Sequence, residues 1–180
     1  AFTAHQEILS GMGCVTRQVR EPRDLDGLNA LVMPGGESTT MSKLLATSGL
    51  FEPVAQSISA GMAVFGTCAG MILLASTIED GRPDQTSFGV LDITVQRNAY
   101  GRQVDSFETD LDVTGLSEPF HAVFIRAPRI TRVGSVDVLA RHDDEPVLIR
   151  QGRAWAASFH PELQSDGRIH RLFVECVEKE

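Results

Sequence analysis

The stretch Val64-Phe65-Gly66-Thr67-Cys68-Ala69-Gly70-Met71 constrains this chain more than any other. The apolar run ahead of it, Met62 to Phe65, has the length of a buried strand, and the run behind it, Met71 to Ala75, reads as a helix. A strand passing into a helix through small residues projects one side chain outward, the geometry of a nucleophile elbow, here with cysteine in place of serine. Small neighbours let the backbone turn sharply and let a substrate approach. At a helix start the dipole favours the thiolate form of Cys68. The alternative is a buried cysteine acting as a small hydrophobe, the ordinary fate of a free one. The local context leaves both open.

In chain order, the spacing of Ile8, Leu9 and Met12 predicts a helix over 1–12, stopped by Gly13. Val15 to Val19 is expected as a strand and Asp24 to Asn29 as a turn or short helix. Ala30 to Met33 is a short apolar strand running into Pro34-Gly35-Gly36-Glu37-Ser38-Thr39-Thr40. That loop opens a helix carrying Met41, Leu44 and Leu45, with Ser38 or Thr39 as its N-cap. A second helix is expected over 51–60. This alternation implies a parallel sheet covered on both faces. Beyond Ala75, strands are expected over 90–96, 104–111, 121–125, 136–140, 147–150 and 154–159, a mixed or antiparallel extension of the sheet. An amphipathic helix over 168–177 closes the chain, with Cys176 on its apolar side and, like Cys14, read as core. A doubly wound sheet usually opens on a strand and this sequence opens on a helix, so its first strand is expected to be missing.

A cysteine nucleophile needs a base, and the base an orienting group. Of the five histidines, His160 follows the strand over 154–159, so it falls at a strand end as Cys68 does. The carboxyl ends of parallel strands share one crevice. Pro161 biases His160 toward extended backbone, in which residues two apart share a side, so Glu162 can reach the imidazole. His5, His121, His142 and His170 are read as structural or surface groups. Oxyanion donors can come from backbone N–H groups of the 34–38 loop. No lysine follows its glycines in the spacing of a phosphate loop.

Gly66-Thr67-Cys68-Ala69-Gly70, Pro34-Gly35-Gly36-Glu37-Ser38 and His160-Pro161-Glu162, in their places along the chain, resemble the triad-type (class I) glutamine amidotransferases. Glu37 to Met41, Gln96 to Glu108 and Phe124 to Ile130 narrow the resemblance to the glutaminase subunits of pyridoxal 5'-phosphate synthase. Met71, where other amidotransferases often carry glutamine, favours the same group. The resemblance covers nearly the whole chain and implies an α/β doubly wound three-layer sandwich with a mixed central sheet, one glutaminase domain over 1–180. It implies hydrolysis of L-glutamine to glutamate and ammonia for vitamin B6 biosynthesis, with no metal or organic cofactor. It assigns Cys68, His160 and Glu162 as the triad and Gly36, Glu37, Ser38, Arg97, Ile125 and Arg126 as glutamine contacts. The implied partner is a separate synthase (lyase) subunit in a hetero-oligomeric complex. Family members begin on a strand ending near an Ala-Leu-Gln-Gly segment, which this sequence does not contain. Competing readings are another cysteine hydrolase on the same elbow and a non-catalytic docking module.

The net charge of −8 argues against a nucleic-acid or anionic membrane surface. Three cysteines, Cys14, Cys68 and Cys176, with no CxxC pair, argue against a disulfide framework or zinc site and fit a reducing cytoplasm. No apolar stretch reaches the ~18 residues a membrane span needs, and no signal peptide is read at the start.

Overall fold

The computed structural model describes residues 1–97 and 106–179. A first helix α1 (Phe2–Gly11) is followed by extended chain and a 3-10 turn over Pro22–Leu25. Then come β1 (Ala30–Met33), α2 (Ser38–Thr47), α3 (Phe51–Ser59), β2 (Ala63–Thr67) and the short α4 (Ala69–Leu74). The second half holds β3 (Ala75–Ile78), β4 (Leu91–Gln96), β5 (Ser106–Leu111), β6 (Phe120–Ile125), β7 (Arg129–Val133), β8 (Asp137–His142), β9 (Glu145–Gln151) and β10 (Ala154–Ala157). A 3-10 turn over Pro161–Leu163 and α5 (Arg168–Glu178) end it.

The main sheet runs β1-β2-β10-β9-β8, parallel across its first three strands and antiparallel beyond β10. Alternation along β2 and β10 divides the interior in two. Val64, Ala154 and Ala156 face a core shared with α4, Leu91 and Ile93, whereas Ala63, Phe65, Trp155 and Ala157 face one shared with Phe120, Phe124, Ile169 and Phe173. A strand buried on both faces must be apolar at every position, which is why the run before Cys68 does not alternate. All five residues of β2 are buried.

Four expectations are corrected. Residues 15–19 form no strand: Val15 is fully exposed, and the extended segment lines a cleft together with β1 without pairing to it. The helix after Cys68 stops at Leu74, because Ala75 turns extended (ψ 149) and pairs with Leu91. Residues 129–133 form a strand that the sequence reading left out, pairing antiparallel with β4. The later strands do not all extend one sheet: β3-β4-β7 and β5-β6 are separate small sheets. The part of the 104–111 strand ahead of Ser106 lies outside the described residues. Among the described residues no helix is long and apolar enough to cross a membrane.

Candidate active site

β2 and β10 lie side by side and parallel, with Thr67 opposite Ala157, so the segments that follow them leave the same sheet edge. Cys68 begins one of these segments and His160 lies in the other. The Cys68 N–H donates to the Ala157 carbonyl at 2.8 Å, and the His160 N–H to the Val123 carbonyl at 2.8 Å, which pins both backbones. Cys68 adopts φ 51°, ψ −107°. For a side-chain-bearing residue this is a sparsely populated region that costs about 1–3 kcal/mol and persists only where the surroundings enforce it. The enforcement comes from β2 on one side and the buried α4 on the other.

The His160 ring and the Cys68 side chain lie beside one another against Gly35, and the sulfur favours the charged form of the imidazole. On the other side of that ring, Nδ1 lies 2.8 Å from Glu162 Oε1. A carboxylate only accepts, so Nδ1 carries the proton and Nε2 is left for the sulfur. The side chain of Glu162 is wholly buried. The contact arises by a different route from the expected one. Glu162 sits in the 3-10 turn, not in extended chain, and His160 is the residue from which that turn starts (φ −106°, ψ 88°).

Burial disfavours a charged His160, yet its interactions with the neighbouring Cys68 and with the Glu162 carboxylate outweigh it and lift its pKa to about 10. For Glu162 burial pushes up, but the hydrogen bond from His160 and the nearby His5 leave its pKa below the usual value. The His160 pKa is raised above its unfolded value of about 6.5, so the pair's stabilisation is full below that pH and fades as pH climbs through about 10. Glu162→Gln removes the charge and should move the His160 midpoint down toward the ordinary range, read by NMR titration of the ring. An unmoved midpoint would show that Glu162 does not hold this imidazole.

The 34–37 loop closes the site from the β1 side. A Cβ on Gly35 would stand 2.5 Å from His160 Cε1 and 3.6 Å from Cys68 Cβ, so only glycine leaves room for the imidazole. Gly36 and Glu37 are exposed and Ser38 is buried. The cap of α2 is Glu37, where serine or threonine was expected. Its carboxylate accepts from the N–H groups of Thr39 and Thr40, at 3.0 and 2.8 Å, and from both hydroxyls. The two hydroxyls, then the Thr39 N–H, are the main reasons its pKa falls to about 2. That carboxylate is committed to the helix, so what Glu37 can offer a ligand is its backbone.

Ser38 and Arg97 are joined through a residue that sequence reasoning missed. Gln85 Nε2 donates to Ser38 Oγ at 2.9 Å, and Arg97 Nη1 donates to Gln85 Oε1 at 3.0 Å. The Arg97 N–H also reaches Asp80 Oδ1 at 2.7 Å. Residues 98–105 of the Gln96 to Glu108 motif lie outside the described residues. Ile125 ends β6 with its carbonyl 3.9 Å from Cys68 Sγ, and the exposed Arg126 follows in left-handed backbone, φ 42°. His5, read as structural or surface, is buried against Glu162 and Thr67. Nothing in its spacing gave that away, because the contact spans 157 residues of chain. Gly35 could have been found as part of the Gly35-Gly36 pair before a helix. Gln85 carried no local signal.

A thiol beside an imidazole that a buried carboxylate steadies can open an acyl centre. Among the described residues no cluster of three or more His, Cys, Asp or Glu is placed to hold a metal ion.

Residues 1–179 match the model of the SNO glutamine amidotransferase family. The pyridoxal 5'-phosphate synthase subunit PdxT of a Nocardioides species is 56% identical over 182 residues, covering 98% of this chain and 90% of that one. The subunit of the same name from Thermus thermophilus is 55% identical over 178 residues, covering 98% and 92%. A crystal structure described as a glutamine amidotransferase superposes with a TM-score of 0.92 at 51% identity, covering 98% of this chain and 94% of that one. A Thermotoga maritima glutamine amidotransferase, 13% identical with a TM-score of 0.60, shares the fold.

Proposed function

The chain belongs to the SNO glutamine amidotransferase family, and from that premise we propose that it is the glutaminase subunit of a pyridoxal 5'-phosphate synthase, with Cys68, His160 and Glu162 as its catalytic residues. The observation that supports this most strongly is the backbone of Cys68, held at positive φ against an imidazole that a buried carboxylate fixes. The name its relatives carry, pyridoxal 5'-phosphate synthase subunit, supplies the pathway.

In this reading the Cys68 thiolate attacks the side-chain amide carbon of L-glutamine. The negative charge that develops on the oxygen is met by N–H groups at Gly36 and Ala69. Ala69 is the first residue of α4, where N–H groups have no partner within the helix. One such donor is worth ~3–4 kcal/mol in a comparable site. His160 gives its proton to the departing ammonia, leaving a thioester. It then takes a proton from the water that cleaves the thioester to glutamate and returns the thiolate. Arg97 and Arg126 pair with the substrate carboxylate, as guanidinium groups do. Gly36, Glu37, Ser38 and Ile125 frame the rest of the glutamine. The ammonia passes to a synthase subunit, which is the protein partner in this proposal.

The test is glutamate and ammonia release from L-glutamine, with and without the cognate synthase subunit. Turnover is expected, rising when that subunit is added. No glutamate in either condition would reject the proposal.

A further inference from the structure

Behind the triad lies a second row of buried polar groups that the mechanism above does not use. Glu162 gives Oε1 to His160. Its other oxygen, Oε2, is inaccessible to solvent and makes no hydrogen bond of good geometry among the described residues. It faces His5 Nε2 at 3.5 Å. The same nitrogen is 3.3 Å from Oγ1 of Thr67, the residue before Cys68. On its far side His5 Nδ1 is 2.8 Å from His170 Nε2. His5 is 2% exposed and His170 not at all. Burial disfavours charge on both rings and lowers both pKa values, that of His170 to about 4, although the Glu162 carboxylate works the other way.

Two neutral rings joined by one hydrogen bond admit two proton arrangements. In the first, His5 Nδ1–H donates to His170. The bare Nε2 of His5 then points a lone pair at a buried carboxylate, and a buried His170 Nδ1–H is left without a partner. In the second, His170 Nε2–H donates to His5 Nδ1. His5 Nε2–H then faces Glu162 Oε2, and only a lone pair on His170 Nδ1 is unmatched. An unmade buried donor is costly, and a lone pair facing a carboxylate adds repulsion, so the second arrangement wins.

We propose that His5 is a positioning residue for the reaction: its Nε2–H steadies the second oxygen of Glu162, and His170 sets the tautomer that makes this possible. The triad is thereby the front of a five-member line, His170, His5, Glu162, His160 and Cys68, in which His5 and His160 donate to the carboxylate from opposite sides. The groups facing His5 are Glu162 from the 3-10 turn, His170 from α5 and Thr67 from β2, with the charge of His160 also acting on it.

This inference rests on the glutaminase reading, and its test has one arm that needs no turnover. In the presence of the synthase subunit, His5→Leu should lower kcat by roughly tenfold, the scale on which outer hydrogen-bond partners of a functional group act. It should leave KM unchanged and move the acid limb of the kcat–pH profile upward, because Glu162 loses a donor that favours its ionised form. His5→Gln places an amide N–H near the position of Nε2 and should restore both kcat and the limb. Wild-type kcat and limb in His5→Leu would overturn the proposal. So would equal losses in both variants with an unmoved limb, which a role in packing alone would give. The second arm is long-range ¹⁵N NMR of the wild-type histidine rings. A protonated Nε2 on His5 supports the assignment and a protonated Nδ1 overturns it, whether or not His5→Leu folds or the assay reads activity.

Discussion

Replacing Cys68 with alanine should lower glutamine turnover by at least about 10⁴-fold, the scale seen when one member of a catalytic triad is removed. Substrate can still bind, since none of the proposed glutamine contacts is altered, but nothing remains to form the thioester. Glycine at the same position makes a sharper experiment. The φ of 51° suits glycine and strains cysteine. Cys68→Gly relieves about 1–3 kcal/mol of backbone strain and gives back about 0.5–1 kcal/mol through the extra freedom of the unfolded chain. The net expectation is an inactive protein roughly 1 kcal/mol more stable than the parent, measured by urea denaturation. Turnover retained in either variant would remove Cys68 from the mechanism. A glycine variant less stable than the alanine one would mean that the elbow stores no strain.

The second large effect is expected at Gly70, two residues into the turn. A Cβ there would sit 2.1 Å from the Met33 carbonyl oxygen and 2.9 Å from its carbon. These are backbone atoms of β1, held by pairing to β2, so they cannot swing aside as a side-chain tip would. Gly66 has the mirror problem: its Cβ would meet the Gly70 carbonyl at 2.5 Å and Leu74 Cδ1 at 2.8 Å. The two glycines let α4 lie directly on the strands that carry the site. Overpacking commonly costs 1–3 kcal/mol, and a clash with fixed backbone belongs at or above the top of that range. Gly70→Ala should therefore lose about 3 kcal/mol or more, or about 6–12 °C in Tm for a chain of this size. The loss would be accompanied by a fall in Cys68 reactivity, because α4 is what holds the strained residue in place. A thermal shift of a degree or less would show that helix and strand are not in this contact.

The elbow, the His160-Pro161-Glu162 segment and the glycine loop were legible in the sequence, each through residues adjacent along the chain. Small residues between two apolar runs leave few backbone paths, and a strand buried on both faces must be apolar throughout, so β2 and the turn after it could be read directly. The halves of the site were read separately, and only the parallel pairing of β2 with β10 puts them at one edge. The Val15 to Val19 strand failed for a reason no local pattern contains: a strand exists only where a neighbour supplies the other half of its hydrogen bonds. The early end of α4 has a similar cause. Ala75 suits a helix, but its partner Leu91 draws it into a sheet.

Sequence alone picked out the candidate residues of the proposed chemistry, because a nucleophile, its turn and a histidine with its acid are local patterns that side-chain size and backbone freedom enforce. Tertiary structure alone decided what stands behind them: the commitment of Glu37 to capping α2, the bridge from Ser38 through Gln85 to Arg97, and the burial of His5 and His170 against Glu162. These contacts join residues from a dozen to more than a hundred positions apart, or choose among several equally good local partners. Behind Glu162 it is burial that ranks the alternatives, since it makes an unmatched donor or charge costly, and burial is a property of the folded chain.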